Sequence, residues 1–342
     1  MRMRILMPVL ALLVTLTLVA GCTAQRNIPT TAGSPTHPPV GDSPVPGTAA
    51  AKDSPLPTLG GTPDENATPT PFWPTPAKKS LSTPYVRPEG ARGQTLPPEE
   101  WKKWPVVPVV SDRAREIYKA GIAAGNKPKH FSKVGDCQSI RQYFLGLFDS
   151  PGSYNLGEKY ASLQKTIDYF SGSWTRKSEA VRTGFNVASV LTSLNANPEN
   201  CKAGETPLDC EFRIWKPSMV IISMETWTPD RPAQVYENYL RQIVEYTLSK
   251  NVLPILATKA DNLEGDHAIN RIIAQVAADY DIPLWNFWRA VQPLTDHGLT
   301  EDGFHLTNGP NFYNSPKYLD LGWPVRNLTA LRTINAVWKA VK

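Results

Sequence analysis

Met219-Val220-Ile221-Ile222-Ser223-Met224 is a continuous apolar run set between Pro217 and Pro229. A strand with one wet face alternates in polarity, so an unbroken run of this length fits a strand covered on both faces, as in a parallel sheet. Downstream, residues 233–249 carry Val235, Tyr239, Ile243 and Tyr246 at helical spacing, and residues 252–257 read as the next strand. Residues 268–280 then read as a helix, 282–287 as a further strand and 328–341 as a closing helix, while upstream residues 131–134 are the candidate first strand. Strand-helix alternation predicts a three-layer α/β/α domain with a parallel sheet, over residues 105–342. In such sheets, sites gather beyond the carboxyl ends of the strands. Four segments fall there: Gly135-Asp136-Cys137, Glu225-Thr226-Trp227, Thr258-Lys259-Ala260-Asp261, and the loop holding Asp302 and His305.

The chain ahead of this domain has a different character. Arg2 and Arg4 precede an apolar run over residues 5–20, too short for a comfortable membrane span and followed by Leu18-Val19-Ala20-Gly21-Cys22. This resembles a bacterial lipoprotein signal, which implies a leader over 1–21, cleavage before Cys22, and a lipid on that thiol holding the protein to the extracytoplasmic side of the cell membrane. Residues 22–104 are rich in Pro, Thr and Ser, with few large apolar groups, and are expected to form a disordered spacer. Segments such as Thr68-Pro69-Thr70-Pro71 could carry sugars, and the Trp101-Lys102-Lys103-Trp104 cluster is where the chain would first pack on the domain.

A formal net charge of +5, with no dense Lys/Arg block, gives no support to nucleic-acid binding. There is no Gly-rich phosphate loop and no ligand cluster dense enough for zinc or calcium, so no cofactor and no metal are expected. If Cys22 is acylated, three cysteines remain in an oxidising compartment and one is left over. Cys201 and Cys210 flank a short polar stretch and could pair, leaving Cys137 free; Cys137 bridged to one of them is the alternative.

Asp302-Gly303-Phe304-His305 sets a carboxylate three residues ahead of an imidazole. A neutral imidazole takes a proton from a thiol or hydroxyl near pH 7, and a carboxylate on its other nitrogen fixes the tautomer and stabilises the imidazolium. With Gly135-Asp136-Cys137 after the first strand and Gly184 in Arg182-Thr183-Gly184-Phe185-Asn186, the domain resembles the SGNH (GDSL-type) hydrolase family. The resemblance implies a flavodoxin-like sheet and hydrolysis of ester (O-acyl) bonds on small molecules or polysaccharides. It assigns Cys137 as nucleophile with Ser139 as the alternative, His305 as base, Asp302 as its orienting acid, and the Gly184 N–H as an oxyanion donor.

Two positions depart from the family pattern. Cys137 stands where a serine is usual, though a thiol performs the same chemistry. Ser223-Met224-Glu225-Thr226-Trp227 puts Glu225 and Trp227 where Gly and Asn are expected. Losing an oxyanion donor costs on the order of a hundred- to a thousandfold in turnover, and an inward Glu225 would repel the developing charge. Trp227 is instead expected on the rim, against a sugar ring or acyl group. An inactive fold that binds a glycan or other envelope ligand is the alternative to a hydrolase.

Overall fold

The computed structural model describes residues 83–227 and 231–342. The leader, Cys22, most of the expected spacer and its candidate sugar sites lie outside them. Four parallel strands form the central sheet: β1 (Lys127–Gly135), β2 (Pro217–Ser223), β3 (Leu253–Ala257) and β4 (Leu284–Trp285), paired in that order. Five longer helices accompany them: α1 (Asp112–Ala123), α2 (Pro207–Trp215), α3 (Ala233–Ser249), α4 (Ala268–Asp279) and α5 (Gly322–Val341). None is long and apolar enough to cross a membrane.

The apolar run that suggested a buried strand is β2, and all its residues are buried. Because side chains alternate across a strand, Met219 and Ile221 enter one core with Phe131, Ile255, Trp285 and residues of α1 and α5. Val220 and Ile222 enter the other core with Val134, Leu256 and residues of α2, α3 and α4. The architecture is therefore the expected three-layer α/β/α sandwich. On α3 the buried stripe is Tyr236, Tyr239, Leu240, Ile243, Val244 and Thr247, one residue around from the stripe read in the sequence.

A flavodoxin-like sheet has a further strand on the outer side of β1. Here it is reduced to one parallel bridge, Gly135 with Val181, in which the Gly135 N–H donates to Ala180 O and the Arg182 N–H to Gly135 O. In chain order the sheet thus reads 2-1-3-4-5 with the second position vestigial. The chain switches direction across the sheet at the carboxyl end of β1, the place where such folds open a crevice.

The domain starts earlier than expected. Residues placed in the disordered spacer are packed: Tyr85 N–H donates to Asp279 O, and Arg87 pairs with Asp281 at 2.5 Å. A short 3-10 helix, Pro98–Lys103, seats Trp101 at 2% exposure, with Trp104 also buried. The Asn286 side-chain amide donates to the carbonyls of both tryptophans. Two isolated indoles bury enough apolar area to order this Pro-rich stretch, so the boundary at 105 moves back to the first described residues. Trp101→Ala is expected to lower stability by about 3–5 kcal/mol in denaturant unfolding, whereas Val86→Ala, at an 84% exposed position, shifts it by less than about 0.5 kcal/mol.

Candidate active site

Gly135 ends β1 where no side chain fits: a Cβ there would lie 2.1 Å from Ser139 Oγ and 2.7 Å from Ser223 O. The chain then tightens into a 3-10 turn, Cys137–Ser139, capped by Asp136, whose Oδ1 accepts the Gln138 N–H at 2.9 Å. Asp136 is fully buried. Its Oδ2 accepts the Glu225 N–H, the Thr226 N–H and the Thr226 hydroxyl at 2.6, 2.7 and 3.0 Å. One carboxylate thereby ties the loop after β1 to the loop after β2, and a buried anion with four donors has its desolvation offset.

The Asp302 carboxylate is built for one geometry. Oδ1 accepts from the Thr300 hydroxyl at 2.7 Å and from the Phe304 and His305 N–H groups, both at 2.9 Å. Oδ2 lies 2.5 Å from His305 Nδ1. The histidine, followed by these other donors, holds the Asp302 carboxyl far below the usual carboxylate range. An ionised carboxylate only accepts, so Nδ1 carries the proton that faces Asp302 and Nε2 is the ring nitrogen turned away from it. Both side chains are exposed, open to a ligand. The two loops meet through Gln138, whose side-chain amide donates to Phe304 O at 2.8 Å.

Cys137 is half-buried and free, while Cys201 and Cys210 form a disulfide. Among the described residues no hydrogen bond joins the Cys137 thiol to the His305 ring. Burial, followed by the negative fields of Asp136 and Glu225, pushes the thiol up to about 11; a hydrogen bond from Thr226 pulls the other way. Ser139 offers no second nucleophile in this geometry, because its hydroxyl is buried against β1 and donates to Ser223 O at 3.3 Å. Gly184 is exposed with φ +83° at the third position of a turn closed by the Phe185 N–H to Arg182 O. That left-handed conformation suits glycine, and no hydrogen bond among the described residues uses its N–H.

Three expectations need correction. Glu225 does not face the rim: it is 1% exposed, accepts from the Ser223 hydroxyl and pairs with the buried Arg326. Burial raises its carboxyl to about 7 against the opposing pull of Arg326. Trp227 is not a rim aromatic either, since it is buried edge-on to Tyr236 with its indole N–H on Arg231 O. The Thr258-Lys259-Ala260-Asp261 segment, placed among those at the strand ends where sites gather, is itself buried, the Lys259 ammonium meeting Asp261 and Glu264, each at 2.6 Å. Conversely, Thr226 and Gln138 were not singled out. The first puts a hydroxyl beside the thiol and the second joins the two site loops, links between distant segments with no local signature.

No protein-family model matches the chain, and no curated protein matches it. Solved structures are similar to it, two of them as follows. One is a protein of Desulfitobacterium hafniense DCB-2 assigned to the G-D-S-L lipolytic family, at 15% identity over 60% of this chain and 99% of that one, TM-score 0.36. The other is a protein of Slackia heliotrinireducens assigned as an SGNH hydrolase, at 15% identity over 60% of this chain and 98% of that one, TM-score 0.40.

Asp136→Ala strands the buried donors on both loops and is expected to cost at least about 3 kcal/mol in urea unfolding. The raised thiol makes the thiolate fraction climb with pH long after an ordinary cysteine, with its pKa of about 8.5, has levelled off. Iodoacetamide alkylation of Cys137 should therefore still accelerate through roughly pH 10, and a plateau near pH 9 would contradict the described environment.

Proposed function

We propose that this protein is a lipid-anchored, extracytoplasmic hydrolase of ester (O-acyl) bonds, held to the membrane through Cys22. Cys137 attacks the acyl carbonyl, His305 Nε2 takes the thiol proton and gives it to the leaving alcohol, water deprotonated by His305 then cleaves the thioester to the acid and the free thiol, and Asp302 holds the ring throughout. The Gly184 and Cys137 N–H groups are the donors proposed for the oxyanion, since the one proton of the Thr226 hydroxyl is committed to Asp136. The observation that carries this reading is the Asp302–His305 pair, whose carboxylate takes four donors on a loop tied by Gln138 to the turn that carries the thiol. A loop needing only a turn would have little use for a histidine so oriented. Catalytic hydrogen bonds commonly close only around substrate, and the exposed His305 loop has room to do so.

The acid-weak thiol favours a second reading, a binding protein on a hydrolytic fold. With its pKa pushed up to about 11, Cys137 at neutral pH is a thiolate in only about one molecule in ten thousand unless a base takes its proton. The two readings separate on p-nitrophenyl acetate with the full-length protein in neutral detergent. For the hydrolase, His305→Ala and Cys137→Ala each lower kcat/KM by a factor on the order of a thousand and Asp302→Asn by a smaller factor. Wild type no faster than His305→Ala would leave the binding reading standing.

A further inference from the structure

A cavity of about 370 Å³ opens beside the nucleophile turn. Its walls come from the end of β1, from the residues after the Cys137–Ser139 turn, and from the 176–183 segment that leads into Gly184. Five of its lining residues are cations, Lys133, Arg141, Arg176, Lys177 and Arg182, and none is acidic. Arg176 is already neutralised by the buried Glu211. The other four have no ion-pair partner among the described residues. Two acids act on the cluster from outside the cavity, Asp149 on Lys133 and Glu179 on Arg176, and each is also hydrogen-bonded away from it, Asp149 to the Gly172 and Thr175 N–H groups and Glu179 to Asn200.

Lys133 is the informative member. It sits on β1, the outer strand of the sheet, at 2% exposure; its amine makes one hydrogen bond, to Trp174 O at 2.7 Å, and burial, followed by the Arg176 charge, lowers its pKa to about 7. An ammonium has three protons to place, and burying it with one neutral acceptor is costly. A structural tie to one carbonyl requires no charge. Arg141 gives one N–H to Thr175 O at 3.3 Å, and Arg182 lies over the Phe185 ring, so both keep guanidinium donors for a ligand. Planar forks of this kind match the oxygens of a carboxylate or phosphate.

We propose that this cavity binds an anionic oxygen group, a sugar carboxylate or a phosphate, carried by the substrate whose ester is cleaved at the adjoining rim. Naming an acid-bearing substrate rests on the ester-hydrolase reading; occupancy of the cavity by the anion does not, so the two fail separately. The exposed arginines supply the charge, with Lys133 a further donor, while Thr183 offers a neutral hydroxyl at the edge; the Ser178 hydroxyl is spent on Lys133 O.

The test is titration calorimetry on the full-length protein in neutral detergent, with glucuronate, inorganic phosphate and methyl glucoside as probes. Saturable binding of glucuronate or phosphate is expected, the tighter of the two identifying the carrier, with methyl glucoside at least tenfold weaker. The surface double substitution Arg141→Gln with Arg182→Gln, which leaves the core intact, should weaken the anion at least tenfold, as should Lys133→Met if it folds. His305→Ala should leave binding unchanged even if esterase activity is absent from every form. Failure of both anions to saturate, equal binding of methyl glucoside, or undiminished binding by the arginine double variant would overturn it.

Discussion

The Asp136 carboxylate is the constraint on which the rest of the rim depends. It is fully buried and takes donors from its own turn and from the loop after β2. The sheet supplies two strand ends a fixed distance apart, and this one anion fixes how the chain leaves each of them. Gly135 makes the arrangement possible, since Ser139 folds back into the space a Cβ would need. What the fold provides at the crossover point is therefore a clamp between two loops, on which a thiol and a hydroxyl are mounted side by side.

The same clamp shapes the electrostatics. With Asp136 beneath it and Glu225 close by, the Cys137 sulfur sits in a negative field that favours the protonated thiol. Glu225 is turned away to Arg326, which is itself completely buried and lies near the rings of Phe144, Trp285, Phe287 and Trp323. Guanidinium groups accept aromatic faces as partners, which offsets part of the lost hydration. The acid that seemed poised to repel an oxyanion is instead one end of an internal ion pair. Asp302 is the contrast, an exposed acid whose geometry rather than burial sets its strength.

The layers and the parallel class were legible because continuous apolar strands and amphipathic helices are local patterns, whereas the order of the strands came from the family resemblance. The Asp302–His305 geometry was also legible, since a short loop alone specifies it. Pairings between distant residues were not. Nothing around Glu225 announces Arg326, 101 residues away, and a tryptophan after a strand reads equally as rim or core until its neighbour Tyr236 is in place. The bridge at Val181 has no apolar run to betray it. The Trp101–Trp104 cluster was legible as the first packing point, but Tyr85 and Arg87 upstream of it lie in a Pro-rich stretch without periodicity, where composition argued for disorder.

The first described residues attach at one pole of the sheet. Tyr85 and Arg87 attach to Asp279 and Asp281, just ahead of the start of β4. In a parallel sheet that is the amino pole, while Cys137, Thr226 and His305 lie at the carboxyl pole. The first described residues and the candidate site therefore lie at opposite poles of the sheet, so a change at Tyr85 or Arg87 acts on the end remote from the thiol and the imidazole.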